Sequence, residues 1–280
     1  MKTFISNISG NISKSGALSL FITTFFVTTW LASCDSNDCP APQMASLSAA
    51  KSIPLINERN SPMCKVNLNI MYVKDTEGNK ANEINKTIEY RLFGISGVGI
   101  KHAADSFMEK YTSDYIENFA PLYKADMGDE SKTSWYDFYY NVHTSVVDGR
   151  PGIMVYRIDI EYYEGGAHAI KQTFYINFDI ETGKQIAISD IFVPGHTRQL
   201  NLLLLEALKE KTETEDINGL HSKGYLCSTE IFAPENFIIG NKGITFIYNT
   251  YEIAPYDRGM TELYIEYSDI GKLMKDNKKD

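Results

Sequence analysis

Histidine and cysteine are the residue types in this chain best suited to catalysis or metal binding. The sequence contains five histidines and four cysteines. The histidines are scattered, and no two stand four residues apart, the spacing that puts two metal ligands on one helix face. Gly-x-Ser-x-Gly elbows, His-Glu-x-x-His motifs, calcium loops and Walker sequences are also missing from the sequence. The sequence therefore assigns no catalytic residue, no metal and no cofactor.

The most unusual local sequence is Tyr163-Glu-Gly-Gly-Ala-His168. Two glycines between strand-like segments indicate a backbone with positive φ or the close approach of another group. Alternate residues of a strand point to the same face, and His168 stands an even number of positions before Ile170 and Phe174. A regular strand would therefore turn His168 toward the core, together with these two residues. We therefore predict a buried histidine that bonds to a backbone carbonyl or a carboxylate. The alternative is a ligand-binding or catalytic histidine, which a bulge at the glycines would favour because it reverses the parity.

A second candidate lies in the segment Tyr251-Glu-Ile-Ala-Pro-Tyr-Asp-Arg-Gly259, between two strand-like segments. Tyr251, Pro255 and Tyr256 would form a recognition loop, because exposed aromatic rings add contact area at small entropic cost. The competing interpretation is a turn that caps the core with Tyr251 buried. The sequence supports both interpretations equally.

The first 33 residues have the features of a secretory signal. Lys2 and Lys14 supply positive charge, and an apolar stretch from Gly16 to Leu31 follows. The stretch ends in Leu-Ala-Ser-Cys34, which matches the lipobox of bacterial lipoproteins, where the lipidated cysteine becomes the mature N-terminus. The alternative is a single transmembrane anchor. We predict lipidation at Cys34 and an extracytoplasmic protein that its N-terminal acyl chains hold on a bacterial envelope membrane.

The remaining cysteines are Cys39, Cys64 and Cys227, an odd number for an oxidising compartment. A disulfide between Cys64 and Cys227 would close a long loop, and a Cys39–Cys64 pair competes with it. Buried free thiols are the third interpretation. No cysteine spacing resembles a zinc site.

Composition divides the mature chain into a tether and a folded part. Residues 34–64 are rich in Ser, Ala, Asn and Pro, a composition that buries too little apolar surface to fold, so we predict a flexible tether. The folded part is predicted to comprise a smaller N-terminal half (65–150) and a larger C-terminal half (151–275), followed by a basic tail (276–280).

Helical periodicity dominates the start of the folded part. Ile84, Ile88 and Leu92 recur at helical spacing, and a second amphipathic stripe begins at Ile100. The glycine-rich residues 94–99 between them lack the Lys-Ser/Thr of a phosphate loop, so a helix–helix turn is predicted there.

Alternation with a period of two then predicts an antiparallel meander. Its strands cover about residues 136–146, 154–162 and 170–178, and Asp148-Gly149 forms a hairpin turn. Arg157, Asp159 and Glu161 point outward as a solvated face, so the sheet has one wet side. A helix around Leu204 and two further strands follow. Because strands cluster apart from helices, the predicted class is α+β, an antiparallel meander packed with amphipathic helices.

Length and charge exclude several classes of protein. The chain has 280 residues, 43% hydrophobic and 22% charged, which excludes wholesale disorder and multi-pass membrane proteins. A net charge of −9 and a pI of about 5.1 argue against a nucleic-acid partner. The negative charge would favour the approach of a cationic protein.

Several segments together resemble a known family. They are Glu161-Tyr-Tyr-Glu-Gly-Gly-Ala-His168, Ile176-Asn-Phe-Asp-Ile-Glu-Thr-Gly-Lys184, Ser189-Asp-Ile-Phe192, Pro234-Glu-Asn-Phe237, Gly243-Ile-Thr-Phe246, Tyr251-Glu-Ile-Ala-Pro-Tyr256 and Tyr267-Ser-Asp-Ile270. Over roughly residues 65–275 the chain resembles the RsiV/PdaC-type extracytoplasmic domain family.

The resemblance implies an extracytoplasmic α+β module that is tethered or fused to other parts. In RsiV the domain resembles a receptor that binds lysozyme. In PdaC catalysis belongs to a separate deacetylase domain, whose metal-binding motifs have no counterpart in this sequence. If a ligand surface carries over, the resemblance points to the loop at Pro255 and Tyr256.

We therefore expect a non-catalytic, lipid-anchored binding module of the cell envelope. Its predicted partner is a cell-wall glycan or a secreted protein such as lysozyme. The alternative is a cell-wall hydrolase or deacetylase with a site around His168.

Overall fold

The computed structural model describes residues 41–127, 129–147 and 149–275. Within those ranges the strands are β1 (Met44–Pro54), β2 (Met63–Val73), β3 (Phe138–Val147), β4 (Ile153–Tyr163), β5 (Ile170–Asp179), β6 (Phe237–Ile239), β7 (Gly243–Tyr248) and β8 (Thr261–Glu266). The helices there are α1 (Asn79–Phe93), α2 (Ile100–Asp126), α3 (Ile188–Ile191), α4 (Thr197–Thr212), α5 (Ile217–Ser222) and α6 (Tyr267–Ile270). The predicted α+β class is confirmed.

Some predicted features lie outside the described residues. They are the signal at 1–33, the lipidation site Cys34, Cys39, the first residues of the tether, Asp148 of the predicted hairpin turn and the tail at 276–280.

The first sheet begins inside the segment predicted as a flexible tether, and that prediction is wrong for residues 44–54. All of β1 pairs antiparallel with β2, in a register that runs from Met44 opposite Val73 to Pro54 opposite Met63. The strand is poor in large apolar residues, but Leu47 and Ile53 pack against the core. Pairing with β2 gives hydrogen-bond partners to the backbone N–H and C=O groups of β1, and amino-acid composition does not reveal such pairing.

The five strands of the first sheet lie in chain order, and β3, β4 and β5 form the predicted antiparallel meander. β2 and β3 are parallel, whereas β3, β4 and β5 are successively antiparallel. A parallel pair needs a crossover connection, which α1 and α2 provide. Both helices pack on the same face of the sheet, with the glycine-rich turn between them as predicted.

The first core lies between α1, α2 and the sheet. Ile84 and Ile88 are fully buried one helical turn apart, which confirms the predicted helix. They meet Leu68 of β2 and Tyr156 of β4, which are also fully buried. Burial of each large aliphatic side chain contributes about 1.5–3 kcal/mol, so this face holds the helices in place.

The second core is built by the later part of the chain. β6, β7 and β8 form an antiparallel sheet of three strands. Leu200, Leu204 and Leu208 of α4 are fully buried at helical spacing and pack in one cluster with Phe246 of β7 and Leu263 of β8. This confirms the predicted helix.

The two sheets are joined across the face of the first sheet that was predicted to be wet. Val155 of β4, Tyr175 of β5 and Ile247 of β7 form a small buried cluster between them. Solvent therefore reaches only the part of this face that the second sheet leaves uncovered. β4 and β5 belong to the first sheet, so the predicted boundary at residue 150 cuts through a sheet.

No helix within the described residues combines the length and the apolar character that crossing a bilayer requires.

Candidate functional site

The loop between β4 and β5 carries His168 onto the surface. Gly165 and Gly166 have φ values of +83° and +105°, which L side chains rarely adopt. A Cβ at Gly165 would lie 3.1 Å from the Trp135 carbonyl oxygen, so the close approach expected from the sequence is present. His168 is exposed, so the prediction of a buried histidine is wrong. The two glycines interrupt the alternation of inward and outward side chains before β5 begins.

The loop that follows β7 carries the two predicted tyrosines. Tyr251 has a φ of +71°, a conformation that costs an L residue about 1–2 kcal/mol. Its ring is 57% exposed, which excludes the interpretation of a core-capping turn with Tyr251 buried. The Asn249 N–H donates to Glu252 Oε2 at 2.9 Å, and the Tyr251 N–H donates to the Ala254 carbonyl at 3.0 Å. The strained residue is therefore held by bonds on both sides of it, as at many functional loops.

Asparagine side chains fix this loop to the strand that begins next to His168. Asn249 Oδ1 accepts from the Thr173 N–H at 2.7 Å, and its Nδ2 donates to the Thr173 carbonyl at 3.1 Å. Asn236 makes the equivalent pair of bonds one step along β5, with the Thr173 carbonyl and the Tyr175 N–H, both at 2.8 Å. The amides thus replace a sixth strand on the edge of β5.

The result is a group of three neighbouring rings at the surface, exposed His168 and Tyr251 and half-buried Tyr256, which we call the aromatic cluster. The rings of His168 and Tyr256 lie almost parallel, at 14°, with centroids 3.7 Å apart. The Tyr251 hydroxyl lies 3.3 Å from His168 Nε2, and its ring centroid lies 5.9 Å from that of Tyr256. Pro255 stands at the start of the turn that presents Tyr256, and its ring packs near Gly224.

A polar cleft of about 230 Å³ opens on the uncovered face of the first sheet, at the strand that follows His168. It is lined by Asn141, His143, Asp159, Ile160, Glu161, Lys171, Gln172 and Thr173. Asp159 Oδ1 accepts from the Thr173 hydroxyl at 2.8 Å, and Lys171 Nζ lies 3.4 Å from Glu161 Oε1. These bonds hold donors and acceptors in place along neighbouring strands.

Further tyrosines extend the aromatic character of this end of the sheet. Tyr139 and Tyr163 stack with centroids 6.2 Å apart, and the Tyr139 hydroxyl donates to Glu161 Oε1 at 3.2 Å. Burial, followed by the Glu161 charge, raises the pKa of Tyr139 and keeps this donor protonated. Tyr139 was not predicted from the sequence, although the alternation along β3 puts it on the outward face of the sheet together with Glu161 of β4.

The predicted disulfide between Cys64 and Cys227 is wrong, because both thiols are free. Cys64 is buried in the first core on β2, whereas Cys227 is exposed in a turn of the later part of the chain. Burial is the main cause that raises the pKa of Cys64 to about 11, so its thiol stays protonated. Cys227 lines a cavity of about 310 Å³ together with Tyr251 and Pro255, next to the aromatic cluster.

A larger cleft, of about 730 Å³, lies at the turn between α1 and α2. His102 and Val98 line it, but none of the residues predicted for the site does. Glu89 is buried there and accepts the Val98 N–H at 3.1 Å, so this carboxylate fastens the glycine-rich turn.

Catalytic arrangements are not found around the aromatic cluster. Among the described residues no group of three His, Cys, Asp or Glu side chains could hold a metal ion. In the same part of the chain, the hydrogen bond of the His168 ring joins it to a tyrosine hydroxyl rather than to a carboxylate that would orient a general base.

Comparison with known proteins finds a family model that is similar to a segment in the later part of the chain. Residues 189–268 match the family model described as "Protein of unknown function (DUF3298)". The match contains the second sheet and the loop from Tyr251 to Tyr256. A search of curated proteins gives no match.

Solved structures extend the similarity to nearly the whole described chain. A member of the DUF3298 family from Bacteroides fragilis aligns with a TM-score of 0.78 and 28% identity, over 86% of this chain and 96% of that one. A DUF3298 family protein from Pseudomonas aeruginosa aligns with a TM-score of 0.57 and 17% identity, over 86% and 97% of the two chains. The second similarity concerns the fold alone.

Proposed function

We propose that this protein is a non-catalytic binding module of the bacterial cell envelope, and that it binds a cell-wall glycan on the aromatic cluster. The observation that carries the proposal is the parallel stack of His168 and Tyr256 on the surface, beside the polar cleft.

The chemistry of the two neighbouring surfaces suits a sugar ring. A sugar has flat faces of C–H groups, which pack on aromatic rings, and a rim of hydroxyls, which needs donors and acceptors. Exposed Tyr251 supplies an aromatic surface, while Asp159 and Glu161 accept and Lys171 donates in the cleft. Apolar surface with a few fixed polar groups is the usual composition of a ligand site.

Two further observations support the proposal. The resemblance to the RsiV/PdaC-type family points to the loop at Pro255 and Tyr256, which is the loop that completes the aromatic cluster. The strain at Tyr251 also favours function, because a core role does not require an exposed ring on a strained backbone.

Lipid anchoring at Cys34 forms part of the proposal. A chain anchored there enters the first sheet at Met44, opposite Val73, whereas Tyr163 and Tyr139 lie at the other end of the strands. Since β2 is about 35 Å long at 3.3 Å per residue, the aromatic cluster lies far from the point where the anchored chain enters the sheet. Mass spectrometry of the mature N-terminus tests this: we expect a lipidated Cys34, and an unmodified Cys34 would refute it.

Calorimetric titration of the purified protein with soluble muropeptides tests glycan binding. We expect saturable binding that Tyr256→Ala weakens by about tenfold or more, because truncation of an aromatic at the centre of an interface costs more than about 1 kcal/mol. Tyr90→Ala is the matched control, since Tyr90 is an exposed tyrosine on α1, on the opposite side of the sheet.

The same titration separates the glycan from the alternatives. Binding of lysozyme without binding of muropeptides would replace the glycan by a secreted protein as the partner. Conversion of the muropeptides, detected by mass spectrometry and lost in His168→Ala, would replace binding by hydrolysis or deacetylation. Absence of binding to both probes would refute the proposal.

A further inference from the structure

The outer edge of β1 is open along the whole strand. In the part of the chain that the structure describes, β1 is paired on one side only, with β2. Its register with β2 is unbroken from Met44 to Pro54, so no bulge interrupts it. An edge strand of eleven residues is long, since most strands have five or six.

The hydrogen bonds at its two ends show which backbone groups point outward. The Lys74 N–H donates to the Gln43 carbonyl at 2.9 Å, and the Leu55 N–H donates to the Pro62 carbonyl at 2.8 Å. Residues of an antiparallel pair bond to their partner alternately, so the odd-numbered residues of β1 bond to β2. The N–H and C=O groups of the even-numbered residues therefore point to the open edge: Ser46, Ser48, Ala50 and Ser52.

This edge has few of the features that usually protect an edge strand from pairing. Such features are charged side chains, prolines, bulges or a covering element. The single charged residue of β1 is Lys51, which lies on the helix side of the sheet with its Nζ 2.7 Å from Glu109 Oε2. Pro54 is the last residue of the strand, and the even-numbered residues before it, from Ser46 to Ser52, are small and exposed.

We propose that β1 pairs antiparallel with β1 of a second copy of this chain. A twofold axis at Ala49 sets Ser46 opposite Ser52 and Ser48 opposite Ala50, so outward-pointing backbone groups meet outward-pointing ones. On the helix side Lys51 lies opposite Leu47, and no like charges meet. The strand is thus complementary to itself, whereas nothing in its side chains selects a different peptide.

The pairing joins the two first sheets into one and puts their uncovered faces on the same side. A strand pair alone buries less than about 1,200 Å², so the dimer is weak and depends on concentration. The pairing itself does not depend on the proposed function. Its consequence does: the two polar clefts open on the same side of the joined sheet, with the aromatic clusters at opposite ends of the strands, and would bind a repeating glycan bivalently.

Sedimentation of the purified protein over a wide range of concentration tests the pairing. We expect a reversible monomer–dimer equilibrium that Ala50→Pro abolishes, because proline removes one outward N–H from each copy and cannot donate. Ala50→Thr is the matched control: it keeps the N–H, favours a strand and should dimerise like the wild type. Loss of dimer in both variants, or in neither, would overturn the proposal.

Two further measurements keep the test decisive. Ala50→Pro should melt within a few degrees of the wild type, since the lost N–H faces away from β2. If this variant fails to fold, hydrogen exchange of the wild type replaces it. The amides of Ser46, Ser48, Ala50 and Ser52 should then exchange at least severalfold more slowly at high protein concentration. A protein that stays monomeric at every concentration, or a dimer whose β1 amides are unprotected, would overturn the proposal.

Discussion

The two edge strands of the first sheet end that sheet in opposite ways. On β5, the side chains of Asn236 and Asn249 both donate to the Thr173 carbonyl. Asn249 also accepts from the Thr173 N–H, and Asn236 accepts from the Tyr175 N–H. On β1, no strand or amide within the described residues takes that place. One edge is closed by side chains of the later part of the chain, and the other presents its backbone to solvent.

The difference indicates where the molecule needs fixed geometry. Asn249, one of the two amides that close β5, also belongs to the loop of Tyr251. It therefore helps to hold the Tyr251 hydroxyl 3.3 Å from Nε2 of His168, which precedes the same strand. Among the described residues no comparable loop is anchored to β1. The closed edge therefore organises the candidate site, and the open edge is left available for association.

Removal of an amide from the closed edge should have the largest effect. Asn236→Ala leaves the Tyr175 N–H without a partner at a buried position, whereas the Thr173 carbonyl keeps its bond from Asn249. Because an unsatisfied buried group costs about 1–3 kcal/mol, the free energy of unfolding should fall by about 1–3 kcal/mol in urea titrations.

The matched control on the open edge is Ser52→Ala, at an exposed position of β1. It should change the free energy of unfolding by less than about 0.5 kcal/mol. Equal losses at Asn236 and Ser52 would contradict the distinction between a closed and an open edge.

A smaller effect is expected at the strained residue of the loop that the closed edge carries. Tyr251→Gly and Tyr251→Ala both remove the ring, but only glycine adopts a φ of +71° without strain. Tyr251→Gly should therefore be more stable than Tyr251→Ala by about 1 kcal/mol in thermal or urea unfolding, and both should bind muropeptides weakly. Equal stability would show that the loop relaxes and that its conformation is not imposed by the amides.

The smallest effect on the free energy of unfolding is expected at Glu252, the acidic residue of this loop. Burial raises the pKa of the Glu252 carboxyl above its ordinary value of 4.5. Between the unfolded and the folded pKa the folded state binds more protons, so the free energy of unfolding falls as pH rises through that interval.

Glu252→Gln removes this titration and keeps an oxygen for the Asn249 N–H. At neutral pH it should be more stable than the wild type, by less than about 1 kcal/mol because the side chain is only half buried, and the gain should vanish at acid pH. A gain that is the same at both pH values would show that charge is not its cause.

Local periodicity was sufficient to predict most of the fold. Ile84 and Ile88 mark α1 because a helix buries every fourth residue, and α4 follows in the same way from its leucines. β1 was missed because its stability comes from pairing with β2, at residues that lie up to 29 positions away in the sequence. Composition reports how much apolar surface a segment has, and it does not report which backbone partner it finds.

The site was predicted in part. His168, Tyr251 and Tyr256 were selected separately, from glycines and from exposed aromatic residues, but their stacking joins positions 83 residues apart in the chain. The parity argument at His168 failed because Gly165 and Gly166 take backbone conformations that no strand has. The predicted disulfide is wrong because the spacing of cysteines in the sequence does not show whether two thiols lie close together. Cys64 is buried on β2, whereas Cys227 is exposed.

NMR titration of the purified protein with soluble muropeptides tests the central claim most directly, because one histidine lies in the aromatic cluster and another lines the larger cleft. His168 belongs to the aromatic cluster, and His102 lines the larger cleft between α1 and α2. Glycan binding to the aromatic cluster predicts that the ring signals of His168 and Tyr256 shift saturably while those of His102 do not move. Shifts at His102 with none at His168, or no shift at either ring, would contradict it.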